Sequence, residues 1–275
     1  VTLSVGATFS SLTGAASTTW TGSVLSLENG AYAINSKTND GDAYETLRLS
    51  ATADISMWNS QATTTTIISG GSLYSQDHAA VDGSLYIYGE YARTSGSEYW
   101  SYATDFDGVA LGTSSRQADV RLASGATADM TGVLFQMLGD AAASSTVANQ
   151  GAGTYTVSVS GGTTTAQYYD MADLGVTGLS LVASTTVTSL NDGGYTVAAG
   201  GGTALTVSST TIDANTAEQV FRVSFATTTA IAATNVTQTG GTPASYWWFR
   251  NSSGNLDGEA KDSDTGDPGS IRWDD

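Results

Sequence analysis

The 275-residue chain has no cysteine, two prolines, one histidine and only nine lysines and arginines. Without cysteine there are no disulfides, thiolate metal sites or thiol nucleophiles. The single histidine, His78, excludes a multi-histidine zinc site. Flanked by Gln76, Asp77 and Asp82, it reads as a turn residue, and no Gly-x-Ser-x-Gly elbow accompanies it. Nine scattered basic residues against 26 acidic ones leave a net charge of −17, the wrong sign for nucleic acid or an anionic membrane surface. No apolar run approaches the roughly 18 residues of a membrane helix, so direct membrane insertion is not expected. No charged segment followed by an apolar core opens the chain, as a signal peptide would. Charged residues are 13% of the total, about half the usual share of roughly 25%.

What the chain does contain is 42 threonines, 32 glycines and 40% hydrophobic residues, with 13 Tyr, 6 Trp and 6 Phe among them. Threonine favours strands, and so much apolar and aromatic surface does not belong to a chain that stays unfolded. Helical periodicity is nearly absent. Short alternating runs recur instead, such as Leu85-Tyr-Ile-Tyr88, Val120-Arg-Leu122 and Tyr155-Thr-Val-Ser-Val159, each closed by Gly, Asn, Asp or Ser. The pairs Gly161-Gly162, Gly201-Gly202 and Gly240-Gly241 fall 40 and 39 positions apart, which reads as a degenerate repeat of about 20 residues doubled to about 40.

Short strands and glycine turns at that period predict an all-β chain folded as a right-handed parallel β-helix, a β-solenoid. Each coil would bury its apolar face only by stacking on its neighbours. At about 22 residues per coil the chain would make about a dozen coils, a rod about 55–60 Å tall. The alternative is tandem β-sandwich modules, with Asp82-Gly83, Asp107-Gly108 and Asp192-Gly193 as hairpin turns. The solenoid is expected over 1–245, with a candidate sub-boundary at 139–153, and an aromatic and acidic terminal segment over 246–275.

Three segments carry a resemblance: LYSQDHAAVDGSLYIYGEYAR (73–93), YWSYATDFDGVALG (99–112) and ASYWWFRNSSGNLDGEAKDSDTGDPGSIRWDD (244–275). They resemble long surface proteins of genome-reduced, candidate-phylum bacteria. Those proteins carry Thr- and Gly-rich β-helix-like regions and a recurring GNxDGEAxDxDxGDPGxIRWDD motif. The resemblance spans nearly the whole chain and is most specific at the C-terminus. It implies secretion, a place on the cell surface and membership of a larger assembly, and it brings no catalytic activity.

Three constellations invite a function. Asp257, Glu259, Asp262, Asp264 and Asp267 lie among glycines, a composition that suits calcium, which takes six to eight oxygens. Asp262-x-Asp264-x-Gly266 resembles the front of an EF-hand loop, but its twelfth position is Trp273, so a standard EF-hand is excluded. The competing reading is a solvated acidic loop. Glu98, Tyr99, Trp100, Asp105 and Asp107 combine rings and carboxylates as a glycan site would, and a carboxylate pair of that kind also suits glycoside hydrolysis. The competing reading is an insertion packed on the rod's flank. Tyr246, Trp247, Trp248 and Phe249, with Ile271 and Trp273, would cap the last coil or meet a neighbouring subunit or domain. The threonine runs, including Thr63–Thr66 and Thr227–Thr229, read as solvated β-surface, and Asn235-Val-Thr and Asn251-Ser-Ser match the glycosylation sequon. Together these features predict a non-enzymatic extracellular structural protein, a rod or filament subunit that associates through its ends. The alternative is a polysaccharide-binding or polysaccharide-degrading β-helix protein.

Overall fold

The computed structural model describes strand backbone in segments between Thr2 and Gly108. It describes backbone and side chains of residues 109–112, 114, 117–228, 231–264 and 269–274. The chain is a β-solenoid. Among the described residues every pairing between strands is parallel, with one strand lying above the strand of the preceding coil. A tandem sandwich, built on antiparallel pairs, is thereby excluded.

One column of paired residues runs Leu25, Leu47, Thr65, Tyr91, Val120, Val147, Met171, Tyr195, Phe225. The climb from position 25 to position 225 takes eight steps, so a coil uses about 25 residues, inside the roughly 20–45 of solenoid repeats. Steps are unequal: Leu47 to Thr65 is the shortest and Tyr195 to Phe225 the longest. The expectation of about a dozen coils is corrected to fewer, longer ones, and the part with described side chains makes about six turns. Coil length varies because the corners absorb the excess. The long step from Tyr195 to Phe225 contains a helix, Ser209–Ala214.

Each coil has three faces. The first face carries Phe106–Leu111, Leu134–Leu138 and the opening residues of Thr163–Val182 and Thr186–Val197. It is continued by a small parallel sheet of Gln219–Phe221, Trp247–Arg250 and Ile271–Trp273. The second face stacks Ala118–Leu122, Ser145–Asn149, residues 169–174, residues 193–197 and Ser224–Thr227. The third stacks Glu98–Tyr99, Thr127–Thr131, Tyr155–Ser160, residues 179–182, Gly202–Ser208 and Ala233–Thr239. The segment 139–153 lies inside this stack, with Ser145–Asn149 paired to the coils on both sides. The glycine pairs mark corners, not a coil period. Gly161-Gly162 and Gly240-Gly241 leave the third face, whereas Gly201-Gly202 enters it. The interval from either of these to Gly201-Gly202 therefore does not measure a coil.

The two-residue strand period sends alternate side chains inward. Ala118–Leu122 and Tyr155–Ser160 alternate buried and half-buried positions along their lengths. The inward residues form one continuous core from Val109 to Trp273. Toward the C-terminal coils it becomes aromatic: Tyr169 lies 5.4 Å from Tyr195, Tyr195 stacks 5.4 Å from Phe225, and Phe225 lies 5.7 Å from Phe249 and 5.5 Å from Trp273. The buried phenols find partners. Tyr155 donates to the Val147 carbonyl at 2.7 Å, and Tyr169 bonds the Tyr195 hydroxyl at 2.8 Å. Burial pushes the ionisation of Tyr155, Tyr169 and Tyr195 upward, so these phenols stay neutral in the core.

Candidate functional site

Residues 257–264 of the acidic segment lie on the last described coil. Ser263 bridges to Thr237, with the Ser263 amide donating to Val236 and its carbonyl accepting from Gln238, both at 2.9 Å. Asp262 and Asp264 flank Ser263 as the buried Val236 and Gln238 flank Thr237, so they face the same way. Where lower coils place core residues, this rung places two carboxylates. Asp264 Oδ2 accepts from the Ile271 amide at 2.7 Å and from the Ser270 hydroxyl at 3.2 Å, and Asp262 Oδ2 accepts from Trp273 Nε1 at 2.8 Å. Gly269 makes room for this arrangement, because a Cβ there would lie 2.1 Å from Asp264 Oδ2. The turn is anchored by the buried Asn235, whose amide donates to the carbonyls of Leu256 and Gly258 at 2.8 and 2.9 Å.

Asp262 and Asp264 thus serve as acceptors for the strand Ile271–Trp273, an amide-capping and indole-capping role that their spacing alone did not suggest. Asp257 is exposed and Glu259 lies in the short 3-10 turn Glu259–Lys261, while Asp267 falls outside the described residues. Among the described residues no group of three His, Asp or Glu side chains converges as a metal cage. Replacing Asp264 with alanine removes a charge-assisted bond to a backbone amide and is expected to cost roughly 1.5–3 kcal/mol. The loss would be read as faster hydrogen exchange at Ile271 than in the parent chain. Unchanged protection there would show that the carboxylate does not hold the strand.

Of the terminal apolar residues, Trp247, Phe249 and Ile271 are buried, and Trp273 is 9% exposed and stacked 4.7 Å from Phe249. These four belong to the core of their own coil and plug it. Tyr246 and Trp248 sit half-buried on the outside, 6.3 Å apart, with Arg272 lying 3.7 Å over the tyrosine and Arg250 4.3 Å over the tryptophan. Register produces this patch: Trp248 pairs with Arg272, and Phe221 with Arg250.

The constellation around Trp100 is only partly described. Glu98 and Tyr99 pair with Ala128 and Asp129 on the third face, while Asp107 belongs to the first-face strand Phe106–Leu111. Trp100 and Asp105 lie outside the described residues, as do the side chains of Glu98, Tyr99 and Asp107.

A groove that the sequence did not announce lies where the first face turns into the second. Its volume is about 490 Å³, and Thr146, Asp170, Asp192, Gly194 and Arg222 are among its lining residues. The corner is built from left-handed residues in successive coils: Tyr168 at φ 52°, Asp192 at 56° and Arg222 at 56°. That conformation is uncommon for residues with a side chain. It sets Arg222 directly over Asp192, and the pair is bidentate, Nε to Oδ1 at 2.5 Å and the second nitrogen to Oδ2 at 2.9 Å. Below, Gln167 also donates to Asp192, at 3.4 Å. The Arg222 hydrogen bond holds the Asp192 carboxyl below its usual range.

Asp170 sits in a different setting. Its column runs Asp119, Thr146, Asp170, Gly194, Ser224. Gly194 leaves the space above the carboxylate open, since a Cβ there would lie 2.7 Å from Asp170 Oδ1. Partial burial, with the charge of Asp173, pushes the Asp170 carboxyl up. The sequence did carry one faint signal for the corner, the triplets Tyr168-Tyr-Asp170 and Asp192-Gly-Gly194, but only the register shows that the two stack. No protein family model matches the chain, and no curated protein or solved structure does.

Proposed function

We propose that the chain is a non-enzymatic structural protein of the cell surface, a rigid rod that joins its neighbours through its ends. The observation that carries this reading is the unbroken parallel column from Leu25 to Phe225, continued by a core that runs to Trp273. In such a stack each coil is stabilised by the coils beside it, and a free end exposes strand edges and apolar surface that need a cap or a partner. The Asp264 and Asp262 contacts with Ile271 and Trp273 favour a junction formed by side chains over one in which another copy simply continues the ladder. Tyr246, Trp248 and Arg272 supply a surface for it, with Arg272 over the tyrosine as a cation on a chain whose net charge is −17, while Arg250, over the tryptophan, lies 3.8 Å from Asp274. Such a patch complements an acidic partner face, and the acidic face of a second copy is one.

The test is electron microscopy and light scattering of the full chain at rising concentration, with calcium or with a chelator. Rods joined end to end are expected, and joining should weaken when Trp248 and Arg272 are both replaced by alanine. Calcium is tested by the same comparison, since joints that fray only on chelation would place a cation at the Asp257–Asp267 turn. Single short rods under every condition would overturn end-joining.

A further inference from the structure

The groove at the Tyr168–Asp192–Arg222 corner has no part in an end-to-end joint, yet it has the makings of a binding site. Asp170 is a half-buried carboxylate that has no hydrogen-bond partner among the described residues, although the carboxylates above and below it are engaged. Asp119 takes Thr146 and Arg121, and Asp192 takes Arg222 and Gln167. A half-buried carboxylate in this state, partly shielded from water, gains from a ligand that donates to it.

The rim decides what kind of ligand. Two of the five guanidinium N–H groups of Arg222 bind Asp192, and on this exposed side chain the others stay available as donors. Thr146 and Ser144 add hydroxyls. An anionic ligand is disfavoured, because Asp170 and Asp173 repel it and the charge of Arg222 is already matched by Asp192. A vicinal diol meets these demands: it donates to a carboxylate, accepts from a guanidinium and carries no net charge. Gly194 gives it room, since a Cβ there would lie 2.7 Å from the Asp170 carboxylate. The groove is open along the rod's flank, so a chain of sugars can lie across it without threading.

We propose that this groove binds a neutral polysaccharide, with Asp170 accepting from a pair of sugar hydroxyls and Arg222 donating to their oxygens. The rod is then a glycan-anchored one, held along its side while its ends stay free for assembly.

The test is affinity electrophoresis of the full chain through gels containing laminarin, xylan or galactomannan, with polygalacturonate as the acidic control. Retardation by at least one neutral polymer, and not by the acidic one, is expected. Asp170→Asn should weaken it about tenfold while the protein melts no lower, because a half-buried, unpartnered charge has been removed. Gly194→Ala keeps the charge but fills the space above it, and should weaken retardation at least as much. Gly194 does not occupy the left-handed region, so the alanine is compatible with its backbone. No retardation by any of the neutral polymers, equal retardation of both variants and the parent, or preference for polygalacturonate would each overturn the assignment.

Discussion

Truncating Phe225 to alanine is expected to destabilise the C-terminal coils by about 3–5 kcal/mol, the usual cost of removing a buried aromatic ring. Phe225 is fully buried and touches Tyr195 below it and both Phe249 and Trp273 beside it. It therefore joins the second-face column to the small sheet that continues the first face. The rings around the cavity are held on paired strands, so they can collapse into it only in part. In a stack where each coil contacts only its neighbours, the damage stays local. Hydrogen exchange should show lost protection over 247–250 and 271–273, with the strands at 118–122 and 155–160 unchanged. A loss spread evenly over the whole rod would mean that the coils unfold as one unit, contrary to this account.

The second large effect is expected at Asn215. This residue ends the helix Ser209–Ala214 and is buried. Its Oδ1 accepts from the Val187 amide at 2.7 Å, and its Nδ2 donates to the carbonyls of Thr185 and Thr211 at 2.7 and 2.8 Å. One side chain thus satisfies a corner of the coil below and the last turn of its own helix. Asn215→Ala takes the partner from the Val187 amide and the Thr185 carbonyl, and roughly 3 kcal/mol should be lost. Asn215→Asp keeps the acceptor but sets a buried carboxylate oxygen against the Thr185 and Thr211 carbonyls, so at neutral pH its cost should equal or exceed that of alanine. Denaturant midpoints for the three proteins measure this directly, and an alanine variant within about 0.5 kcal/mol of the parent would show that water replaces the amide.

The architecture could be read from the sequence because a solenoid repeats its demands. Strand composition, glycine corners and absent helical periodicity recur in every coil, so degenerate signals accumulate. The coil length could not be read. Glycine pairs were the most visible repeat, but Gly161-Gly162 and Gly201-Gly202 serve different corners. The true period is blurred by steps as unequal as Leu47 to Thr65 and Tyr195 to Phe225. Sites suffered more. The Asp262 and Asp264 pair was visible as charge, yet its acceptor role depends on Ile271 and Trp273 returning beside it. Asp170, Asp192 and Arg222 come from three successive coils, and nothing short of the register brings them to one corner. Even the left-handed backbone there was hidden, because Tyr168 and Arg222 are not residues that announce it.

The parallel stacking has a mechanical side. Hydrogen bonds between coils point along the rod, so a pull on its two ends loads the coil interfaces in series, and the weakest of them yields first. Each coil that peels away releases about 25 residues, roughly 80 Å of extended chain at about 3.3 Å per residue, where it had occupied about 4.8 Å of height. Bending and compression press the coils together and meet the whole packed core instead. A rod of this construction is stiff when pushed. Stretched too far, it pays out slack one coil at a time, and the chain lengthens before it breaks.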